Sequence, residues 1–385
     1  MPLLLDLPNE ILYHIAGCLA LESDLSRLAR TNRHLYTTIN PVVYRFNALY
    51  GQMSALLWAA ERGMVPTAQY ALEASVRVSG DKLGILYDAL SQAVQEGHTR
   101  IAENILLQDG IDPNFQHQQR KGDGSRITFL ARAAKTGHMD LVALFLSTKD
   151  INPNLGDDKG RPPITYAGFS RQDTVVKQLL ATPGVDPDWR DDHGRTPLSW
   201  TVSFGSDDAV SQFLSRSDVD VNAPMATDYW WKKGWTTLMF ASCRGFTEKV
   251  QLLLNQPNIN VNHQCERGKS ALHLAAKTGS EAIVQLLLAH GAYPDPKECY
   301  GRTPLYESAR SGCLPIMNML YTAGADPNTI TEDGDTAVTV ASRRGHTEIV
   351  RFLLKTGKIN LTHQGNDDQR NALSWAAAHG YRGSQ

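Results

Sequence analysis

Cysteine is scarce in this chain. The five present (Cys18, Cys243, Cys265, Cys299 and Cys313, in 385 residues) form no Cys-x-x-Cys pair and no cluster with other zinc ligands. That removes a disulfide framework and the zinc-ribbon patterns, and it favours a reducing compartment, cytoplasm or nucleus. No run of about 18 apolar residues occurs, so no spanning helix is expected. The opening Met1-Pro2-Leu3-Leu4-Leu5-Asp6-Leu7-Pro8 has no basic start, and Asp6 and Pro8 interrupt its apolar run, so it is not read as a secretory signal. Charge of one sign is also lacking: 38 Lys and Arg stand against 40 Asp and Glu, a formal −2, which leaves no global positive field for nucleic acid or an anionic membrane. His-Glu-x-x-His, Gly-x-Ser-x-Gly, Gly-x-x-x-x-Gly-Lys and Gly-x-Gly-x-x-Gly are all absent. No catalytic residue, metal ligand or cofactor is therefore assigned, and the chain is not expected to be an enzyme.

What is present is a period. Gly194-Arg195-Thr196-Pro197-Leu198 recurs as Gly301-Arg302-Thr303-Pro304-Leu305, Gly268-Lys269-Ser270-Ala271-Leu272 and Gly234-Trp235-Thr236-Thr237-Leu238. The apolar residue closing this motif occupies Leu56, Leu90, Leu130, Ile164, Leu198, Leu238, Leu272, Leu305, Val338 and Leu373, at intervals of 33 to 35 residues except for two of 40. Within each period, Ala271-Leu272-His273-Leu274-Ala275-Ala276-Lys277-Thr278-Gly279 followed by Ile283-Val284-Gln285-Leu286-Leu287-Leu288 shows the pattern best. A first helix is capped by Ser or Thr, opened by Pro, made slim by paired Ala and stopped by Gly; an apolar second helix follows. Asn and Asp segments such as Asn260-Val261-Asn262 and Asp326-Pro327-Asn328 then turn the chain out into a hairpin finger. The pattern resembles an ankyrin-repeat array over residues 52 to 385, about nine full repeats and a partial last one. The fold expected is all-α, a solenoid carrying hairpin fingers.

Residues 1 to 46 have a different spacing. Leu7, Ile11, Ile15 and Leu19 share one helix face behind Pro8; Leu25 and Leu28 line a second short helix, and a third runs from Asn32 to Ile39. Three such helices bury little and usually need a partner. Leu7-Pro8-Asn9-Glu10-Ile11-Leu12 and Asp24-Leu25-Ser26-Arg27-Leu28, followed by Arg33-His34-Leu35-Tyr36, resemble the F-box motif, with Asn32 and Tyr36 departing from it. The resemblance implies that Leu7, Pro8, Ile11, Leu25 and Leu28 dock on the Skp-type adaptor of a cullin–RING ubiquitin ligase, with the array holding a target protein. Apart from that complex a monomer is expected. A plainer alternative makes these helices a cap on a scaffold or inhibitor, and a remoter one places an unusual enzyme in the groove of the array.

The two long intervals mark insertions in fingers. One surrounds Gln116-His117-Gln118-Gln119-Arg120-Lys121-Gly122-Asp123-Gly124, and the other carries Tyr229-Trp230-Trp231 ahead of Trp235. Tyr and Trp bury much area at low entropic cost, so Tyr229, Trp230, Trp231 and Trp235 are the expected target-binding residues. Trp235 also stands where other copies have Arg161, Arg195 and Arg302. Trp58, Trp200 and Trp375 share one first-helix position and are expected to pack between repeats. Lys135, Arg244, Lys277, Arg310 and Arg343 recur near first-helix ends, a basic stripe suited to an acidic segment. The histidines follow the period: His98, His138 and His346 each come after the stopping Gly, and His273 lies in the motif itself, so structural roles are expected for them.

Overall fold

The computed structural model describes residues 54–75, 82–118, 125–225, 233–360 and 374. The adaptor-docking set Leu7, Pro8, Ile11, Leu25 and Leu28, the finger residues Tyr229, Trp230 and Trp231, and Leu373 and Trp375 lie outside the described residues.

Each described period folds as a helix pair. In chain order these are α1 (Ser54–Arg62) with α2 (Val65–Ser75), α3 (Lys82–Glu96) with α4 (Thr99–Leu106), α5 (Phe129–Thr136) with α6 (Met139–Ser147), α7 (Pro163–Phe169) with α8 (Asp173–Ala181), and α9 (Pro197–Phe204) with α10 (Asp207–Leu214). There follow α11 (Thr237–Arg244) with α12 (Thr247–Leu254), α13 (Ala271–Thr278) with α14 (Glu281–Ala289), α15 (Pro304–Ser311) with α16 (Leu314–Thr322), and α17 (Ala337–Arg344) with α18 (Thr347–Lys355). The nine described register residues, Leu56 through Val338, are all buried. The helix starts follow from the motif: the side chains of Thr196, Thr236, Ser270, Thr303 and Thr336 each accept the amide three residues on, leaving fewer orphan donors.

Two compact units are distinguished. The first ends at Ala167 and takes in Ala181–Val185; the second comprises Gly168–Leu180 and the chain from Asp186. In the first, α1 packs on α3 and α3 on α5, while α2 meets α4 and α4 meets α6. In the second, α9, α11, α13, α15 and α17 pack in succession, as do α10, α12, α14, α16 and α18. First helices therefore meet first helices and second helices meet second helices, each one period apart, which is the order a repeat stack requires.

The fold departs from all-α at one finger of the first unit. Strands β1 (Gln116–Gln118) and β2 (Arg126–Thr128) pair antiparallel with His117 opposite Ile127. The longer interval supplies both legs of a ladder, and Thr128 closes it by capping α5 through its hydroxyl. Beneath it Tyr87 and Phe115 stack at 3.8 Å, with Phe129 and Phe145 continuing the row. Trp58 corrects another expectation: it is 47 % exposed and lies under the Arg62 guanidinium at 5.7 Å, rather than between helices.

Candidate functional site

The finger row of the second unit is built from one turn repeated with different side chains. Across its base Asp191 and Arg195, Cys265 and Lys269, Glu298 and Arg302, and Thr331 and Asp335 are joined by an amide-to-carbonyl bond of 2.9–3.0 Å, while the glycine between donates back to the first residue. In the first unit Asp157, Gly160 and Arg161 form the same turn. Where the first residue is acidic, its carboxylate accepts the amide four residues on: Arg161 on Asp157 at 2.7 Å, Arg195 on Asp191 at 2.8 Å and Arg302 on Glu298 at 3.3 Å. The arginine then lies over an aromatic ring of the helix that follows, Tyr166 at 5.2 Å, Trp200 at 4.8 Å and Tyr306 at 5.8 Å.

The Asp157 cluster is the most enclosed of these. Arg161 Nε donates to Asp157 Oδ2 at 2.8 Å and Tyr166 Oη donates to the same oxygen at 2.7 Å, with all three side chains buried. Burial, then the Asp157 charge, pushes the Tyr166 hydroxyl well above the usual tyrosine range. In the second unit Trp200 Nε1 donates to Asp191 Oδ2 at 2.8 Å, so this indole ties finger to helix. Phe169 and Phe204 flank it at 5.9 and 5.8 Å.

Trp235 occupies the arginine place of the turn, and its partner across the base is Met225. Met225 N donates to Trp235 O and Gly234 N to Met225 O, both at 2.9 Å, so the turn's base is intact. An apolar pair, Met225 at 5 % and Trp235 at 2 % exposed, stands where three of the copies have acid and arginine. The inserted residues leave from this base. The Trp235 ring, expected at the binding surface, is instead buried.

Neighbouring tips join into one row. Glu266 N donates to Lys233 O at 3.4 Å, Cys299 N to Arg267 O at 2.8 Å, and Glu332 N to Tyr300 O at 2.9 Å. Lys233 and Glu266 also pair at 3.0 Å. Tyr300, exposed at the row's edge, lies between the guanidiniums of Arg267 at 5.3 Å and Arg302 at 5.2 Å.

A second series of contacts runs behind the fingers. Asn222 donates through Nδ2 to Asn258 O at 2.7 Å and accepts Asn260 N at 2.8 Å; Asn262 does the same to Gly291 O and Tyr293 N, and Asn328 to Lys358 O and Asn360 N. In the first unit Asn114 bridges to Asp150 and Asn152 in the same way. Two positions carry aspartate instead. Asp188 Oδ2 accepts Asp220 N at 2.7 Å and Asp295 Oδ2 accepts Asp326 N at 2.6 Å, but the Oδ1 of each is buried without a hydrogen-bond partner. Burial raises both carboxyls above the usual range. An amide restores the missing donor, so Asp188→Asn and Asp295→Asn are each expected to stabilise the second unit by about 1 kcal/mol at neutral pH. The folded-state pKa is raised, so the destabilisation relieved by Asn belongs to the ionised form. The gain should be full above the folded pKa and shrink as pH falls toward 4. Thermal melting at pH 7.5 and 4 measures this; a loss of stability at pH 7.5 would refute it.

Four of the five residues of the basic stripe have partners within the chain. Arg310 meets Glu307 at 3.5 Å, Arg343 meets Asp335 at 2.5 Å, Lys135 lies over Tyr166 and Arg244 over Phe246, each at 5.9 Å, and Lys277 is exposed. The histidines join repeats. The rings of His98, His138 and His346 lie against Gly63, Gly97 and Gly312, where a Cβ would come within 2.7–2.8 Å, and each Nε2 meets a carbonyl of the preceding first helix at 3.2–3.3 Å. His273 is buried. The Ser270 amide, an obligate donor, meets its Nδ1 at 3.2 Å, so Nε2 carries the proton and donates to Arg302 O at 2.9 Å. Burial drives its pKa down to about 4.

Among the described residues no group of three or more His, Cys, Asp or Glu is placed to hold a metal, and no helix is long and apolar enough to cross a membrane. The site residues missed by the sequence reading are Met225, which becomes visible only when the turn register is aligned through the insertion, and Arg171 and Lys249, whose signal is a departure from the period described below.

A family model described as ankyrin repeats (3 copies) matches residues 90–191, 170–265, 239–331 and 317–384. No F-box model matches residues 1 to 46. Among curated proteins, Cortactin-binding protein 2 of Ornithorhynchus anatinus is 42 % identical over 60 residues, 16 % of this chain and 4 % of that protein. Its counterpart in Echinops telfairi is 43 % identical over 53 residues, 14 % of this chain and 3 % of that protein. The chain therefore matches about 4 % of the length of these relatives, less than two repeat periods.

Proposed function

Since this chain belongs to the ankyrin-repeat family, we propose that it is the target-recognition subunit of a cullin–RING ubiquitin ligase, with residues 1 to 46 docking on a Skp-type adaptor and the array holding a target protein. The observation that carries the ligase half is the run Leu7-Pro8-Asn9-Glu10-Ile11-Leu12 followed by Leu25 and Leu28. A cap needs apolar periodicity but not that opening. The array half is supported by family and geometry: linked finger tips offer a continuous edge to a protein.

In this reading the chain performs no chemistry. It raises the local concentration of a target's lysines near the ligase, and ubiquitin transfer gains from proximity alone. Tyr229, Trp230 and Trp231 are the proposed contacts on the inserted finger, and buried Trp235 with Met225 anchors that insertion rather than meeting the target. The reading places the protein in the cytoplasm or nucleus, where such ligases have access to it.

Co-expression with a Skp-type adaptor tests the reading. Stable co-purification is expected for the wild type, with at least a tenfold loss in Leu7→Asp/Pro8→Ala while circular dichroism retains the helical array. A folded wild-type chain that fails to retain the adaptor overturns it and leaves a scaffold with a helical cap.

A further inference from the structure

Seven residues after each register position the first helix ends, and seven of the nine described copies place glycine there with φ between 71° and 83°: Gly63, Gly97, Gly137, Gly245, Gly279, Gly312 and Gly345. The two exceptions are adjacent. Arg171 holds the left-handed conformation at φ 60°, where a side chain costs about 1–2 kcal/mol. Gly205 has left it for an extended conformation with φ −76°.

Packing explains Gly205. A Cβ there would meet Gly168 O at 2.6 Å and Thr201 O at 2.7 Å, so two repeats approach through bare backbone. Packing does not explain Arg171, whose guanidinium spans that approach and donates from Nε to Phe204 O at 3.1 Å.

The following repeat departs too. Phe246 stands where His98, His138 and His346 bond back to the preceding helix, and Lys249 takes over that task. Lys249 is a buried residue; its ammonium donates to Val202 O and Gly205 O, each at 2.9 Å, and lies 5.0 Å from the Phe246 ring.

These departures open a cavity of about 430 Å3, whose walls include Arg171, Ser203, Phe204, Asp207, Phe246 and Lys249. Two cations and one carboxylate give it a net positive charge. Burial pulls the Lys249 ammonium below its usual range, and the nearby Arg171 charge acts the same way against the opposing Asp207. A second anion entering here would relieve that imbalance. Phe204, 54 % exposed, supplies an apolar wall at the mouth.

We propose that this cavity receives the carboxylate of a Glu or Asp side chain on a partner protein, held by Arg171 and Lys249 with its stem against Phe204. A backbone strain retained where glycine is the rule is the mark of a residue kept for its side chain. The proposal rests on the array being a protein-binding surface but not on which complex the N-terminal segment joins.

The test uses the full chain and two capped peptides, acetyl-Leu-Glu-Leu-amide and acetyl-Leu-Gln-Leu-amide, with amide NMR shifts of residues 203–207 and 246–249 as the readout. The Glu peptide should bind at least fivefold more tightly than the Gln peptide. Arg171→Gly should abolish that preference while its melting temperature stays level or rises, because glycine fits φ 60° without strain. Adaptor co-purification by Arg171→Gly should be unchanged, which keeps this test separate from that of the ligase reading. Equal binding of the two peptides, no binding of either, or an undiminished preference in Arg171→Gly overturns the proposal.

Discussion

Asp157→Ala is expected to destabilise the first unit by about 3–5 kcal/mol, because it strands the buried Arg161 guanidinium without its counter-charge. Asp157 Oδ2 accepts from both Arg161 Nε and Tyr166 Oη, and Oδ1 accepts the amides of Lys159 and Arg161 at 3.0 and 2.7 Å. One substitution therefore leaves an ion, a hydroxyl and two amides to find water in a place where little is present. The contrast with exposed pairs is large: Lys233–Glu266 and Arg351–Glu348 have well-solvated side chains, and breaking either should cost less than about 1 kcal/mol. Asp157→Met combined with Arg161→Met should recover part of the loss, since an apolar pair needs no counter-charge. The Met225–Trp235 turn already stands in that form. Hydrogen exchange of the 157–166 amides, with urea melts of both variants, checks the scale. A loss below about 1 kcal/mol in Asp157→Ala would mean that the cluster is solvated in practice.

The second large effect is acid sensitivity centred on His273. Its folded pKa is depressed from 6.5 to about 4, so the folded chain binds a proton less readily than the unfolded one. The stability contributed by neutral His273 is thus full above pH 6.5 and is lost progressively as pH falls through 6.5 toward 4, in total about 3 kcal/mol. The cause is desolvation first, eased by the Arg302 carbonyl and the Glu298 charge and reinforced by Lys269. His273→Gln removes the titration, so the difference between wild-type and variant stability should change with pH in that window and be flat above it. Exchange of the α13 amides, whose cap box uses the same imidazole, localises the effect to the second unit. A pH-independent difference would show that the ring reaches water in the folded state.

Much of this architecture was legible in the chain because a repeat states its own register several times. The buried set Leu56 to Val338, the Ser and Thr caps, the stopping glycines and the structural histidines all follow from that register. Asp157 and Asp191 serve as turn residues of the same kind, each accepting backbone amides two and four residues on. The tryptophans were harder to read. Trp58 and Trp235 exchanged the environments expected of them, because composition identifies an aromatic ring as a candidate anchor but not whether a neighbouring element covers it. The β-ladder at Gln116 was hidden for a related reason: an insertion's length is visible in sequence, but whether its legs pair depends on the turns beneath it.

The amino-acid sequence by itself determined the period, the helix pair within each period and the family, because each depends on spacing along the chain. It also carries the F-box-like opening on which the ligase proposal stands. Only the tertiary structure decided which departures from the period matter. Asp188 and Asp295 become frustrated contacts only once their Oδ1 atoms are buried. Arg171, Phe246 and Lys249, spread over 79 residues, line one cavity only because the repeats stack and bring their first-helix ends together. Local preference acts over a few residues, whereas desolvation, strain and charge balance depend on neighbours a whole repeat away.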